Sequence, residues 1–330
     1  MGKAIYQPKG AAKQYSEWAV NFYNGCSAKC DYCYNRKGRG AKILGCDTPT
    51  LKKSLVNEGV ALEIFEKELK QNLPELREHG LFFNFVSDPF LPETAEINLD
   101  CMLLCENHDV PIILLTKQTW WLDLYMHVLK ELFNKKSTHF GFTLTGHDEL
   151  EIGAGINSER IECMRKLHEE GFRVWASIEP IIDLKSSSKM IHASAQYCDH
   201  YKIGLESGKK YDKNELWLFP ANVIDYIKNF GKEDATMYFK DSLLKQAGID
   251  RSDLPAICVD SSYKFHKPSA YLVQSKENPK AFVCHKNNQY CLVVLNDEKE
   301  GACVFKKKDA EAFISKMDND NDLELFELLT

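Results

Sequence analysis

Between Trp18 and Phe230 the sequence alternates short apolar runs with stretches of helical periodicity. Trp18 to Tyr23, Leu81 to Val86 (LFFNFV), Pro111 to Lys117 (PIILLTK), His139 to Thr145 (HFGFTLT), Arg173 to Glu179 (RVWASIE) and Tyr201 to Glu206 (YKIGLE) read as buried strands. Helical patterns follow over Glu58 to Leu73, Ala95 to Asn107, Leu122 to Asn134, Ser158 to Glu170, Lys189 to Tyr197 and Ala221 to Phe230. Strands that are apolar on both faces and joined by helix-length connections make a parallel sheet, because parallel neighbours need long crossovers. The alternation alone fits an open doubly wound sheet and a barrel equally well, since both bury the two faces of the sheet.

From about Asp250 the texture changes to short β-like runs, AYLVQ, AFVCH, YCLVVL and GACVFK, separated by turn-rich segments. AFVCHKNNQYCLVVL reads as a hairpin around Asn287-Asn288 that sets Cys284 opposite Cys291. A closing helix, Asp309 to Met317, and an acidic tail follow. The expected division is therefore residues 1–250 and a β-rich appendage over 251–330. With 330 residues, 44% of them hydrophobic, the chain can bury a large core. Lys plus Arg less Asp plus Glu is 42 − 48 = −6, so no global field favours nucleic acid, although Lys29, Arg36, Lys37, Arg39 and Lys42 form a local basic stretch. The polar N-terminus and the lack of a long apolar run argue against a signal peptide or a membrane span.

Just past the first strand run comes NFYNGCSAKCDYCYNR, from Asn21 to Arg36. Cys26, Cys30 and Cys33, spaced C-x3-C-x2-C, let three thiolates converge from one short loop on a single metal centre. Structural zinc sites and ordinary electron-transfer clusters normally take four protein ligands, whereas a catalytic metal keeps a position open. Three ligands argue for chemistry, with a structural zinc module as the competing reading. Twelve cysteines, three of them in a reduced-metal motif and several others single within apolar segments, point to the cytoplasm rather than to disulfides.

At these residues the chain resembles the radical S-adenosylmethionine (SAM) enzymes, whose cluster loop reads C-x3-C-x-aromatic-C, here with Tyr32 as the aromatic. The resemblance implies a 4Fe-4S cluster on Cys26, Cys30 and Cys33, with SAM completing the fourth iron. It implies reductive cleavage of SAM to methionine and a 5′-deoxyadenosyl radical that abstracts hydrogen from a substrate. It also resolves the fold class: α/β, a partial (β/α)6 barrel with a small C-terminal antiparallel appendage. Cofactor and substrate then sit at the C-terminal strand ends, as in other parallel α/β folds.

Residues past those ends become candidates. Ser87 and Asp88, after the second strand, can accept hydrogen bonds from the SAM ammonium, or can simply start a turn before Pro89. Lys117, after the third, can pair with the methionine carboxylate; Thr143 and Thr145 can contact carboxylate or ribose. Glu179, after the fifth strand, can bind ribose hydroxyls or pair with Arg160 or Arg173, and Glu206 has the same two readings.

Within the superfamily, IYQPKG, YSEWAVNFYNGC, the SDP and TK strand ends and the pattern across Arg160 to Ile182 resemble the branch that contains spore photoproduct lyase. The lyase places a cysteine immediately before its Ser-Asp to return a hydrogen atom to DNA; here Val86 stands there, and the lyase activity is not carried over. The resemblance leads to DNA or RNA repair or modification as the expected function, with a peptide or small molecule as the alternative. A flavodoxin- or ferredoxin-type reductant is the expected partner. Cys258, Cys284, Cys291 and Cys303 are candidates for an auxiliary cluster, but their spacing matches no ligand pattern and favours core residues.

Overall fold

The computed structural model describes residues 2–37, 40–261, 270–275, 281–286, 289–294, 314 and 323–328. The chain divides into two compact units, Met1–Phe265 and His266–Thr330. In the first, β1 (Ile5–Tyr6) pairs antiparallel with β2 (Ala19–Val20), and β3 (Tyr23–Asn24) pairs with β4 (Thr50–Leu51) across a loop that carries α1 (Ala41–Leu44). Helices α2 (Glu58–Gln71) and α3 (Leu73–His79) lead to β5 (Leu81–Phe83). Then come α4 (Ala95–Asn107), β6 (Ile112–Thr116), α5 (Trp121–Leu132), β7 (Thr138–Thr143), α6 (Asn157–Glu169), β8 (Arg173–Ile181) and α7 (Leu184–Ser194). The unit closes with β9 (His200–Leu205), α8 (Lys213–Phe230), β10 (Thr236–Phe239) and α9 (Asp241–Ala247).

The sheet order is β1-β2-β5-β6-β7-β8-β9-β10, and every pair from β2 to β10 is parallel. That order never reverses. Since parallel crossovers are right-handed, each step in one direction puts its helix on the same face, whereas a doubly wound sheet needs a reversal point. The sheet also curls. Tyr15 lies 6.0 Å, ring centre to ring centre, from Phe82 on β5 and 6.2 Å from Trp175 on β8, strands that would be roughly 14 Å apart in a flat sheet. β1 and β10 do not pair with each other, so the barrel stays open.

Strand alternation separates two cores. Phe83, Leu114, Phe140, Phe142, Val174, Ala176 and Ile203 face outward into the large core packed by the helices. Ala19, Phe82, Ile113 and Trp175 face inward and pack with Phe85, Leu115 and Tyr15. Gly141 is required here: a Cβ on it would stand 2.1 Å from the Trp175 ring. Higher in the barrel the inward positions turn polar, with Ser177 registered beside Lys202 and Lys202 beside Tyr238.

Several elements differ from the sequence expectation. The first strand run splits into β2 and β3. α7 starts at Leu184 instead of Lys189 because the Asp183 carboxylate caps it, accepting from Ser186 N at 2.8 Å. α8 starts at Lys213, capped by Asp212, and carries Pro220 within it. A further unit, β10 with α9, follows; four strand residues gave too short a pattern to see. The expected boundary near residue 250 falls inside the first unit, where a parallel bridge from Met237 to Cys258 continues the sheet edge.

In the second unit β11 (Ala270–Ser275), β12 (Ala281–Lys286), β13 (Gln289–Val294) and β14 (Leu323–Leu328) form an antiparallel sheet in the order β13-β12-β11-β14. Its register sets Cys284 opposite Cys291, as the hairpin reading expects. Part of the acidic tail is strand β14, which pairs with β11 over all six residues. The turn at Asn287-Asn288, the helix expected over Asp309 to Met317 apart from Ile314, and Cys303 lie outside the described residues. Among the described residues no helix is long and apolar enough to cross a membrane.

Candidate metal centre and cofactor site

The cysteine loop is fastened on three sides. At its base the β3–β4 ladder is extended by Cys26 N donating to Cys46 O at 2.8 Å. Gly25, at φ +84°, turns the chain there with no space for a Cβ, which would meet Thr48 O at 2.5 Å. Toward β5, the Asn21 side-chain oxygen accepts from Phe85 N and Val86 N, and Asn35 Nδ2 donates to Val86 O at 3.1 Å. Toward the loop after β7, Asp31 N donates to Leu150 O and Gly153 N to Ala28 O, both at 3.0 Å.

So held, Cys26, Cys30 and Cys33 pack with Ala28, Leu91 and Tyr32 in one small cluster. Burial pushes the Cys26 thiol up to about 11 and raises that of Cys30 as well. Among the described residues no three His, Cys, Asp or Glu side chains close round a single ion. A cubane gives each thiolate its own iron and asks for a wider spacing than one ion does. Three thiols from one rigid loop, beside the cation of Lys117, fit the donor set and the negative charge of such a cluster.

The strand ends on this side converge. The buried Asp88 carboxylate accepts from Thr116 Oγ1 at 2.6 Å, Lys117 N at 2.7 Å and Phe90 N at 3.0 Å. Burial nonetheless raises its pKa. The Ser87 hydroxyl oxygen is buried and lacks a hydrogen-bond partner among the described residues. Lys117 places its ammonium 5.8 Å from the centre of the Tyr32 ring. Burial would lower its pKa, but Cys30 and Glu151 outweigh that and leave it raised. Thr143 is buried at the end of β7, its carbonyl accepting from Arg160 Nη1 at 2.8 Å. Thr145 Oγ1 accepts from His147 N, a turn contact.

Glu179 belongs to a different group inside the barrel. Its oxygens accept from Tyr15 OH at 2.5 Å and Lys240 Nζ at 2.8 Å, and the pair crosses β9 at Gly204, where a Cβ would meet Lys240 Cδ at 2.7 Å. The expected partners are therefore corrected. Arg160 pairs with Glu151, and Arg173 with Asp199 and Asp234, because Arg160 lies in the first turn of α6 and Arg173 at the opposite, N-terminal end of β8 from Glu179. Glu206 pairs with Lys37 at 3.2 Å, and Arg36 with Asp47, so two cations of the basic stretch are already matched.

The structure thus brings the three cysteines, Tyr32, Ser87, Asp88, Lys117 and Thr143 to one end of the barrel and puts Glu179 in the interior network. Sequence reading missed Glu151, Tyr15, Lys202 and Lys240. Tyr15 sits in a stretch that reads as an irregular lead-in, and Lys240 follows a strand too short to recognise. Glu151 follows HDEL with nothing to distinguish it from a solvated acid.

No protein-family model matches the sequence. An uncharacterized protein, MJ0683, of Methanocaldococcus jannaschii is 26% identical over 202 residues, 56% of this chain and 69% of that protein. Among solved structures, Streptococcus suis SuiB bound to S-adenosylmethionine is similar at a TM-score of 0.48 and 15% identity, over 69% of this chain and 51% of SuiB. The chain therefore spans about half the length of SuiB. Spore photoproduct lyase complexed with dinucleoside spore photoproduct gives a TM-score of 0.46 and 13% identity, over 94% of this chain and 76% of the lyase. In cysteine spacing, open parallel barrel and strand-end residues, the chain resembles the radical SAM enzymes of the spore photoproduct lyase branch.

Proposed function

We propose that the chain is a radical SAM enzyme. The observation that carries this reading is the gathering of Cys26, Cys30 and Cys33 at the C-terminal ends of parallel strands, beside a lysine ammonium with no hydrogen-bond partner among the described residues. In this reading the three thiolates hold a 4Fe-4S cluster and leave one iron for SAM. When bound and reduced, the cluster and SAM together supply a 5′-deoxyadenosyl radical for hydrogen abstraction.

The chain's own residues prepare the site. Lys117 offers a cation to the methionine carboxylate, and Ser87 offers a hydroxyl oxygen to the ammonium. Asp88 is spent on Thr116, Phe90 and Lys117 N–H, so its role is to fix the strand end that carries Lys117. That differs from the direct contact its sequence position invites. The apolar walls at Ala28 and Leu91 limit water around the thiols.

For the substrate we favour nucleic acid, on the strength of the branch resemblance, with a peptide or small molecule as the alternative. Val86 in place of the lyase cysteine means that hydrogen return would follow another route. A flavodoxin- or ferredoxin-type protein would deliver the electron, in the cytoplasm.

The test is anaerobic reconstitution, reduction with dithionite and addition of SAM, with a Cys26→Ala, Cys30→Ala, Cys33→Ala variant alongside. Iron and 5′-deoxyadenosine in the wild type alone support the reading. A colourless wild type that retains zinc and cleaves no SAM overturns it.

A further inference from the structure

A buried chain of contacts begins and ends at Lys117. The Tyr32 hydroxyl donates to Glu151 Oε1, and Glu151 Oε2 stands 2.7 Å from Arg160 Nη1, with side-chain exposures of 1% and 0% for the two charged groups. Arg160 Nε donates to Gly155 O at 2.7 Å and Lys117 O at 3.2 Å, and Nη1 to Thr143 O at 2.8 Å. Lys117 then returns to the start of the chain, its ammonium over the Tyr32 ring. One planar cation in the first turn of α6 therefore joins the ends of β6 and β7 and, through Glu151, the aromatic of the cysteine loop.

The carbonyl partners are main chain, so the arginine has little freedom to follow a moving loop. Energetics also speak against a purely stabilising role. A buried ion pair is often no better than apolar side chains of the same volume, because desolvation offsets the attraction. Nη2 of Arg160 and Oε2 of Glu151 are moreover buried with no hydrogen-bond partner among the described residues, so the two charges meet as a close ion pair without hydrogen-bond alignment. What the pair does supply is placement, through the hydrogen bonds each member makes elsewhere. The Tyr32 hydroxyl donates to Glu151, Glu151 lies against Arg160, and Arg160 is fixed by three carbonyls.

We propose that Glu151 and Arg160 are positioning residues of the cofactor site: through the Tyr32 hydroxyl they hold the ring against the Lys117 ammonium, and so set the pose of SAM beside the cysteine loop. This rests on the radical SAM reading above.

The experiment uses the reconstituted, reduced holoprotein and measures iron per chain, SAM affinity by anaerobic equilibrium dialysis, and the change in the cluster's electron paramagnetic resonance spectrum on adding SAM. Tyr32→Phe and Glu151→Gln are each expected to keep wild-type iron, to weaken SAM binding about tenfold, and to alter the SAM-induced spectral change. The double variant is expected to lose no more than the worse single one, because both substitutions cut the same chain. Arg160→Lys keeps the charge but not the fork, and should resemble Glu151→Gln. Tyr32→Phe removes one oxygen and leaves packing intact, so the test survives even if the other variants fold poorly. Wild-type SAM affinity in a fully loaded Tyr32→Phe protein, or effects that simply add, would overturn the positioning role alone. A wild type that takes up no iron or binds no SAM removes the underlying reading and this inference with it.

Discussion

Lys117 and Lys240 occupy matching places in the fold, each immediately after a parallel strand, β6 in one case and β10 in the other. Lys240 meets the Glu179 carboxylate at 2.8 Å, with the Tyr15 ring 5.1 Å away. Lys117 meets the Tyr32 ring and no carboxylate, although Asp88 and Glu151 lie near enough to influence its pKa. Those two acids are already taken, Asp88 by a hydroxyl and two N–H groups and Glu151 by Arg160 and Tyr32. One side of the barrel closes its charges on themselves; the other spends its carboxylates on structure and leaves beside three thiols a cation with no ion pair among the described residues. A strand-end lysine is left available to a ligand only when its neighbours have been engaged elsewhere.

The sharpest contrast should come from exchanging each of the two lysines for methionine. Lys240→Met leaves the Glu179 carboxylate, mostly buried, without its cation, and should cost roughly 2–4 kcal/mol, below the full penalty for a buried pair because Glu179 keeps some solvent contact. Lys117→Met breaks no ion pair and should stay within about 1 kcal/mol of wild type. Urea unfolding of the metal-free protein compares them directly. Equal losses for the two variants would erase the distinction between an ion-paired and an unpaired lysine.

A smaller effect is expected at Gly204. A methyl group there meets Lys240 Cδ at 2.7 Å and Glu179 Cδ at 2.8 Å, both within flexible side chains, so the pair must shift rather than the backbone. Gly204→Ala should therefore cost about 1–3 kcal/mol, and combining it with Lys240→Met should add little, because the displaced contact is the same one. Full additivity in the unfolding free energies would show that Gly204 serves the backbone instead.

How much of this was legible differs between the two sides. The cysteine loop, Lys117 and the strands that carry them announce themselves through spacing and periodicity, which are local properties. The alternation fixed parallel strands, but barrel against doubly wound sheet depended on the order of pairing, a long-range fact that only motif resemblance supplied. The interior group was invisible for the same reason: Tyr15, Ser177, Glu179, Lys202 and Lys240 come from four distant segments and meet only because the sheet curls. Arg160 reads from the sequence as a solvated helix residue or a partner of Glu179; its burial follows from three carbonyls that no sequence pattern marks.

Lys202 sharpens the picture of the closed side. It is buried between the Tyr15 and Trp175 rings, 4.8 and 5.8 Å from their centres, and its ammonium donates to Tyr15 O at 2.6 Å. Burial first, and Lys240 second, depress its pKa from 10.5 to about 7, with Glu179 opposing them. In the unfolded chain the lysine stays protonated to near 10.5. Below pH 7 both states hold the proton and the folded protein bears the whole cost of burying it. Between pH 7 and 10.5 the folded protein releases the proton while the unfolded chain keeps it, so this group's contribution to stability rises with pH. Unfolding free energies of wild type and Lys202→Met across that window should diverge in favour of wild type by up to about 1.4 kcal/mol per pH unit. A constant difference would mean that Lys202 keeps its charge throughout.

The smallest effect belongs to the contact that joins the two sides. Lys37, in the cysteine loop, reaches Glu206 past the end of β9 at 3.2 Å, and its side chain is half exposed. An exposed pair of this kind contributes about 0–1 kcal/mol, so Lys37→Met should leave thermal unfolding nearly unchanged. Its interest lies in binding. If nucleic acid follows the basic loop, Lys37 must exchange Glu206 for a phosphate, and its removal should reduce the salt dependence of single-stranded DNA affinity by about one counterion. A salt dependence identical in wild type and variant would show that Lys37 stays with Glu206, serving to hold the cysteine loop against the far side of the barrel mouth, and would shift the search for the substrate away from the basic stretch.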